Sequence, residues 1–150
     1  MHTLFDRFAL LTVTAWVGGL WAIGYLAAPA LFHHLAGNRQ LAGALAGHMF
    51  VLVAYVGMFS AFYLLLHRIA RFGALALKQG FFWAVVVMLL LTLASHFGIQ
   101  PLLAQIKMQA LPSDVMQSVF RDRFSAWHGV ASIAYLVQSL LGGVLVLKAR

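Results

Sequence analysis

The chain has 150 residues, of which 63% are hydrophobic and only 9% are charged, and it contains no cysteine. A soluble domain has roughly 25% charged residues, so the composition excludes an ordinary soluble domain, and the lack of cysteine excludes disulfides and thiolate chemistry. A net charge of +7 would indicate nucleic-acid binding in a soluble protein. Here the basic residues lie in short gaps between apolar runs, which favours the lipid bilayer as the partner and not nucleic acid.

Four apolar runs, in chain order, are long enough to cross a lipid bilayer. They are residues 8–31, about 41–66, about 80–100 and about 124–147. A spanning helix needs ~20 apolar residues, and only helices satisfy the backbone of such runs within lipid. The first run is longer than the apolar core of a secretory signal, roughly 7–15 residues, so we interpret it as a retained helix. The predicted fold class is all-α, an integral membrane four-helix bundle forming a single transmembrane domain over 1–150.

The longest gap, 101–123, predicts a short amphipathic helix on the outer membrane surface between helices 3 and 4. Ser113 or Asp114, directly after Pro112, is typical of a helix N-cap. Apolar residues then recur at helical spacing between positions 115 and 120.

The basic residues of the gaps predict the orientation of the chain in the membrane. The side that holds both termini has more of them than the opposite side, and the positive-inside rule therefore places both termini in the cytoplasm. The residues are Arg7, Arg68, Arg71, Lys78, Lys148 and Arg150 on the first side, and Arg39, Lys107, Arg121 and Arg123 on the other.

The histidines concentrate on the outer side of the predicted membrane. His48, His96 and His128, from three different spans, lie roughly 9–14 Å outward of their span midpoints at 1.5 Å rise per residue. His33 and His34 lie about 20 Å out, at headgroup level. Imidazole binds zinc, copper and haem iron, so the pattern predicts a site for haem b, copper or zinc on the three deeper histidines, with His33 or His34 as a further ligand. The simpler alternative is that each histidine bonds to a neighbouring helix.

Charged residues outside the spans add to this hypothesis and exclude others. Arg39, Arg121 and Arg123 on the outer side could pair with haem propionates or another anionic ligand. The chain has only three acidic residues, and all lie in the gaps. A carboxylate proton relay and a paired-carboxylate or Ser-His-Asp hydrolase are therefore poorly supported, and an enzyme is the least supported class.

Four short strings resemble a bacterial four-helix membrane family of unknown function, which is similar to the eukaryotic transmembrane protein 205 family. The strings are APALF at 28–32, LAGHMF at 45–50, GIQP at 98–101 and FSAWHGVAS at 124–132. The most specific is the aromatic-x-x-aromatic-His-Gly run around His128. The resemblance implies four transmembrane helices in the bacterial inner membrane. Because the eukaryotic relatives are associated with resistance to platinum drugs, it also implies an effect on metal or drug handling.

Three functional hypotheses remain open from the sequence. The first is a histidine-lined site on the outer side that holds a transition metal or haem for metal handling or electron transfer. The second is a structural or interaction module that forms a homo-oligomer or supports a larger membrane complex. The third is export of metal or cationic drug complexes, which would require an oligomer because four spans enclose only a thin pore.

Overall fold

The computed structural model describes residues 4–109 and 117–149, and within them every long element is a helix. Helix α1 is Leu4–His34, α2 is Arg39–Phe72, α3 covers 80–109 and α4 is Gln117–Lys148. All four are long and apolar enough to cross a membrane, and the four predicted runs lie inside them. The prediction of an all-helical, multi-pass membrane protein is therefore confirmed.

The connections between the helices form where the sequence supplies capping and turn residues. Asn38 caps α2, because its side-chain oxygen accepts a hydrogen bond of 3.0 Å from the backbone nitrogen of Leu41. Gly73 ends α2 with a φ of 53°, a left-handed conformation that glycine adopts without a steric penalty. The short 3₁₀ helix Gly73–Lys78 then leads to α3.

The predicted surface helix between helices 3 and 4 is not a separate element in the described residues. Gln100–Gln109 continues α3, and Gln117 to Arg123 form the first turns of α4. Since no proline lies between 117 and 148, the helical spacing detected around Val119 runs directly into the fourth span. Pro112, Ser113 and Asp114, the predicted start, lie outside the described residues.

The helices pack in a ring in which each one contacts its neighbours in the chain and α1 also contacts α4. Neighbouring helices are antiparallel. Tyr63 near the end of α2 donates to the Phe5 carbonyl near the start of α1, 3.2 Å away. Along α4, Tyr135 meets Leu20 and the later Gly142 meets the earlier Val17 of α1. We call the end that holds Leu4 and Lys148 the terminal end. The opposite end, which holds His34, is the histidine end.

The buried core lies nearer the terminal end. Gly57 allows α2 to approach α1, since a Cβ atom at this position would lie 2.6 Å from Nε1 of the buried Trp16. A Cβ at Gly142 of α4 would similarly meet Val17, at 3.0 Å. Small residues at helix contacts serve this purpose in membranes. The core cluster consists of Val13, Trp16, Val17, Leu20, Ala61, Leu64, Phe81, Ala84, Val85, Met88 and Leu145.

Charged side chains at the terminal end join helices as well as marking orientation. Asp6 of α1 pairs with Arg71 and lies 3.3 Å from Nε2 of His67, both on α2. Arg68 donates to the Gln79 side chain at 3.2 Å, and its guanidinium carbon lies 4.1 Å from the centre of the Phe81 ring. From the sequence, Arg68 and Arg71 were predicted only to set the topology; the structure adds these contacts between helices.

Candidate functional site

A cavity of about 790 Å³ lies between the helices towards the histidine end. Ligand pockets of proteins typically measure ≈ 300–1,000 Å³ and are mostly apolar with a few polar groups at fixed positions. All four helices contribute to this cavity, from Trp16 and Leu20 of α1 to Phe50 of α2, His96 of α3 and Tyr135 of α4. It is therefore large enough for a small organic ligand.

One face of α2 forms the longest wall of the cavity. The lining residues of α2 extend from Arg39 to Ala54 and recur every three or four positions, so the wall is about 22 Å long at 1.5 Å rise per residue. Gly43 and Gly47 belong to this face, and a Cβ at Gly47 would meet no heavy atom within 4 Å. The cavity is thus elongated along the helix axis, with space directly in front of Gly47.

Polar residues of α4 form the facing wall. His128, Ser132, Tyr135 and Gln138 line the cavity and occupy positions i, i+4, i+7 and i+10, which share one side of a helix. Of these four residues, only His128 was predicted from the sequence as a site residue. The same spacing, applied to the polar residues of the fourth span, would have indicated the whole face.

Buried hydrogen bonds hold this polar wall in place. The amide nitrogen of Gln138 donates to the Thr92 hydroxyl and, at 3.3 Å, to the Met88 carbonyl; Gln138 is 6% exposed and Thr92 is 4% exposed. These bonds hold α4 against α3. Separating the two helices would leave the polar groups unpaired, which costs several kcal/mol for each group within lipid.

A second buried contact ties α4 to α1. The Tyr135 hydroxyl donates to the Leu20 carbonyl. Gly24 makes the approach possible, since a Cβ there would lie 2.8 Å from Cζ of Tyr135. The ring of Tyr135 also meets Phe50 edge to face, with 5.3 Å between ring centres. Tyr135 is therefore fixed by α1 and α2 while it lines the cavity.

Two π-helical segments lie beside the cavity. The first, Ala22–Ala27, contains Gly24. The second, Ala94–Ile99, contains three lining residues, Ser95, His96 and Ile99. A π-helical turn holds an extra residue and is frequently found at functional sites. The second segment places His96 in the wall, where its ring packs 5.1 Å from that of Tyr55, measured between ring centres.

The structure brings together two of the three histidines predicted as metal ligands. His96 and His128 line the same cavity, and His128 stacks on Phe124 with 5.8 Å between ring centres. His48 does not line it; this residue is exposed, and its Nδ1 lies 3.0 Å from the Ala44 carbonyl of its own helix.

The predicted additional ligands lie outside the cavity as well. His33 and His34 are exposed at the end of α1 and do not line it. Within 4–109 and 117–149, no group of three or more His, Cys, Asp or Glu side chains could hold a metal ion. Metal or haem binding therefore stays a prediction.

The three arginines proposed for anion binding have different positions. Arg39 lines the cavity at the histidine end. Arg121 and Arg123 are exposed on the first turns of α4 and are not part of the lining. The structure thus singles out one arginine of the predicted set.

Comparison with known proteins gives one match. The model of a family described as a domain of unknown function, DUF4149, matches residues 11–112. This match includes most of the first three helices and ends before α4. No curated protein and no solved structure matches the chain.

Proposed function

We propose that this chain, which belongs to the DUF4149 family, described as a domain of unknown function, binds a small, largely apolar molecule. The molecule lies in the cavity between the helices, within the membrane. The observation that carries this proposal is the cavity itself, about 790 Å³ and lined by all four helices. The lining combines aromatic walls with hydrogen-bonding side chains on α3 and α4, which is the chemistry expected of a ligand site.

We further propose that the protein lies in a bacterial inner membrane with both termini in the cytoplasm. The support is the excess of basic residues on the side of the termini. In this orientation the histidine end faces outward, and the ligand would reach the cavity from the outer leaflet or the outer surface. Similarity to the transmembrane protein 205 family, oligomer formation and export of metal or drug complexes stay predictions.

Fluorescence of Trp16 tests the binding proposal directly. Trp16 lines the cavity and is 1% exposed, whereas Trp127 is 39% exposed and does not line it. A variant that retains only Trp16, with the other three tryptophans replaced by phenylalanine, is reconstituted in phosphatidylcholine vesicles and titrated with a brominated fatty acid methyl ester. Bromine quenches indole fluorescence at short range. We expect saturable quenching at one ester per protein.

A variant that retains only Trp127 is the matched control, because its indole reports quencher dissolved in the surrounding lipid. Its quenching should rise with the concentration of ester without saturating. If Trp16 followed the same unsaturated curve as Trp127, the ester would not enter the cavity, and the proposed binding function would be overturned.

A second candidate, metal or haem binding, is favoured by one observation: His96 and His128 line the same cavity from different helices. On this hypothesis the purified protein binds haem b, copper or zinc, and His96→Ala or His128→Ala lowers the affinity by about tenfold or more, since loss of even an outer-shell partner typically costs about 10–100-fold. Absorbance spectra and metal analysis after reconstitution measure it. His48→Ala is the control, since His48 lies outside the cavity. Equal loading of all three variants would contradict a site on His96 and His128.

A further inference from the structure

Charge is distributed unevenly along the cavity. Among the described residues that line it, Arg39 is the one charged side chain, and the lining contains no aspartate or glutamate. Within 4–109 and 117–149, no hydrogen bond or ion pair joins the Arg39 side chain to another residue. A ligand with a positive charge would therefore meet a like charge and no counter-charge, whereas an anion would find a guanidinium with all its donors available.

The arginine lies at one end of an elongated space. Arg39 is the first residue of α2, and the α2 wall continues from it for about 22 Å to Ala54. Gln40 and Gln100 also line the cavity and lie near the histidine end of their helices. At the far end are Trp16 and Val53, which are both buried. The Gln138 amide and the Thr92 hydroxyl there already form a hydrogen bond with each other.

We propose that the ligand is an elongated membrane amphiphile with an anionic head, a carboxylate or a phosphate, bound by Arg39. Its apolar tail lies along α2 towards Trp16. This inference rests on the proposed function and specifies the ligand class. A guanidinium forms two parallel hydrogen bonds with either head, and such charge-assisted bonds are about twice as strong as neutral ones. The position of Arg39 at one end of the lining fixes the direction in which the amphiphile enters, head at the histidine end and tail inward.

The Trp16-only protein tests this inference with two probes that have the same tail. One probe is a brominated fatty acid, used above its pKa, and the other is its methyl ester. We expect half-maximal quenching of Trp16 at an about tenfold lower concentration of the acid, which corresponds to 1.4 kcal/mol. Arg39→Gln should remove this preference. Arg121→Gln, the matched control, should retain it, because Arg121 does not line the cavity.

The outcomes separate this inference from the proposed function. Saturable quenching by acid and ester at the same concentration would overturn the anionic head and leave the binding function intact. No saturable quenching by either probe would overturn both. Preference for the acid in Arg39→Gln would exclude Arg39 as its partner and overturn the inference. Loss of the preference on addition of inorganic phosphate at the concentration of the acid would also overturn it, since the site would then bind free anions.

A second measurement does not depend on the tryptophan substitutions. Native mass spectrometry of the unmodified chain, with an unlabelled fatty acid and its ester added in equal amounts, should show mainly one bound acid per protein. The Arg39→Gln chain should show equal occupancy by the two. Predominant binding of the ester to the unmodified chain would contradict the inference.

Discussion

Replacing Gly47 with phenylalanine should abolish saturable quenching of Trp16 by the brominated ester while the protein stays folded. Gly47 lines the cavity, and a side chain there would point into open space because no heavy atom lies within 4 Å of its Cβ position. The phenyl ring would occupy the volume that the ligand needs. Glycine is about 1 kcal/mol less favourable than alanine in a helix, so removing it should not weaken α2. The expected change is a loss of at least tenfold in ligand affinity.

Gly18→Phe is the matched control for this experiment. Gly18 is also a helical glycine with no heavy atom near its Cβ position, yet it is exposed and does not line the cavity. This variant should bind the ester as the parent does. If Gly47→Phe retained saturable quenching with unchanged affinity, the ligand would occupy another place and the cavity assignment would be wrong.

The second large effect is expected from Gly57→Leu, which should lower the free energy of unfolding by about 3 kcal/mol, the upper part of the range for overpacking. Even a Cβ at Gly57 would lie 2.6 Å from Trp16 Nε1 and 3.1 Å from its Cε2. Trp16 cannot move aside easily, because it is 1% exposed within the core cluster. Reversible unfolding in mixed micelles, followed by circular dichroism, measures the change.

A compensating substitution distinguishes local overpacking from a general intolerance of change in α2. Adding Trp16→Leu to Gly57→Leu should restore part of the lost stability, since the smaller side chain makes room for the new one. Neighbouring residues of this kind typically show coupling energies of 0.5–3 kcal/mol. If the stability loss of the double variant equalled the sum of the losses of the two single variants, the α1–α2 contact at Gly57 would not be the cause of the loss.

Much of the fold could be predicted because membrane spans depend on length and composition. The predicted run 124–147, for example, lies inside the helix Gln117–Lys148. The ends of the helices were less predictable. The apolar run 41–66 stops before Arg68 and Arg71, but α2 continues to Phe72, because these arginines find partners in Asp6, Gln79 and the Phe81 ring. Contacts between distant residues of this kind leave no local signal in the sequence.

The sequence indicated which histidines could share one layer of the bundle but not which way each one points. Counting residues along a helix assigned His96 and His128 to one layer, and both line the cavity. His48 was assigned to the same layer, yet it is exposed while its neighbour Gly47 lines the cavity. Each residue turns a helix by about 100°, and lipid makes the outer faces as apolar as the inner ones. Hydrophobicity therefore does not reveal which face points inward.

The π-helical turn at His96 was a further source of uncertainty. Its extra residue changes the direction of side chains relative to a regular helix. Pro101 follows the segment Ala94–Ile99 by two residues, and a proline removes an i→i−4 hydrogen bond, so the sequence does indicate a distorted stretch of helix. The sequence does not show which side chains this distortion turns inward, so the wall formed by Ser95, His96 and Ile99 could be recognised only in three dimensions.

The uneven packing of the bundle has a consequence for how such proteins can change over time. Residues such as Val17, Leu64 and Val85 hold the helices together near the terminal end, and the part of the cavity lining at the histidine end lies outside this core. Substitutions along 43–47 of α2 and 128–132 of α4 can therefore alter the size and polarity of the cavity while the core remains unchanged. One scaffold can thus acquire new ligand preferences through a few exchanges at its histidine end.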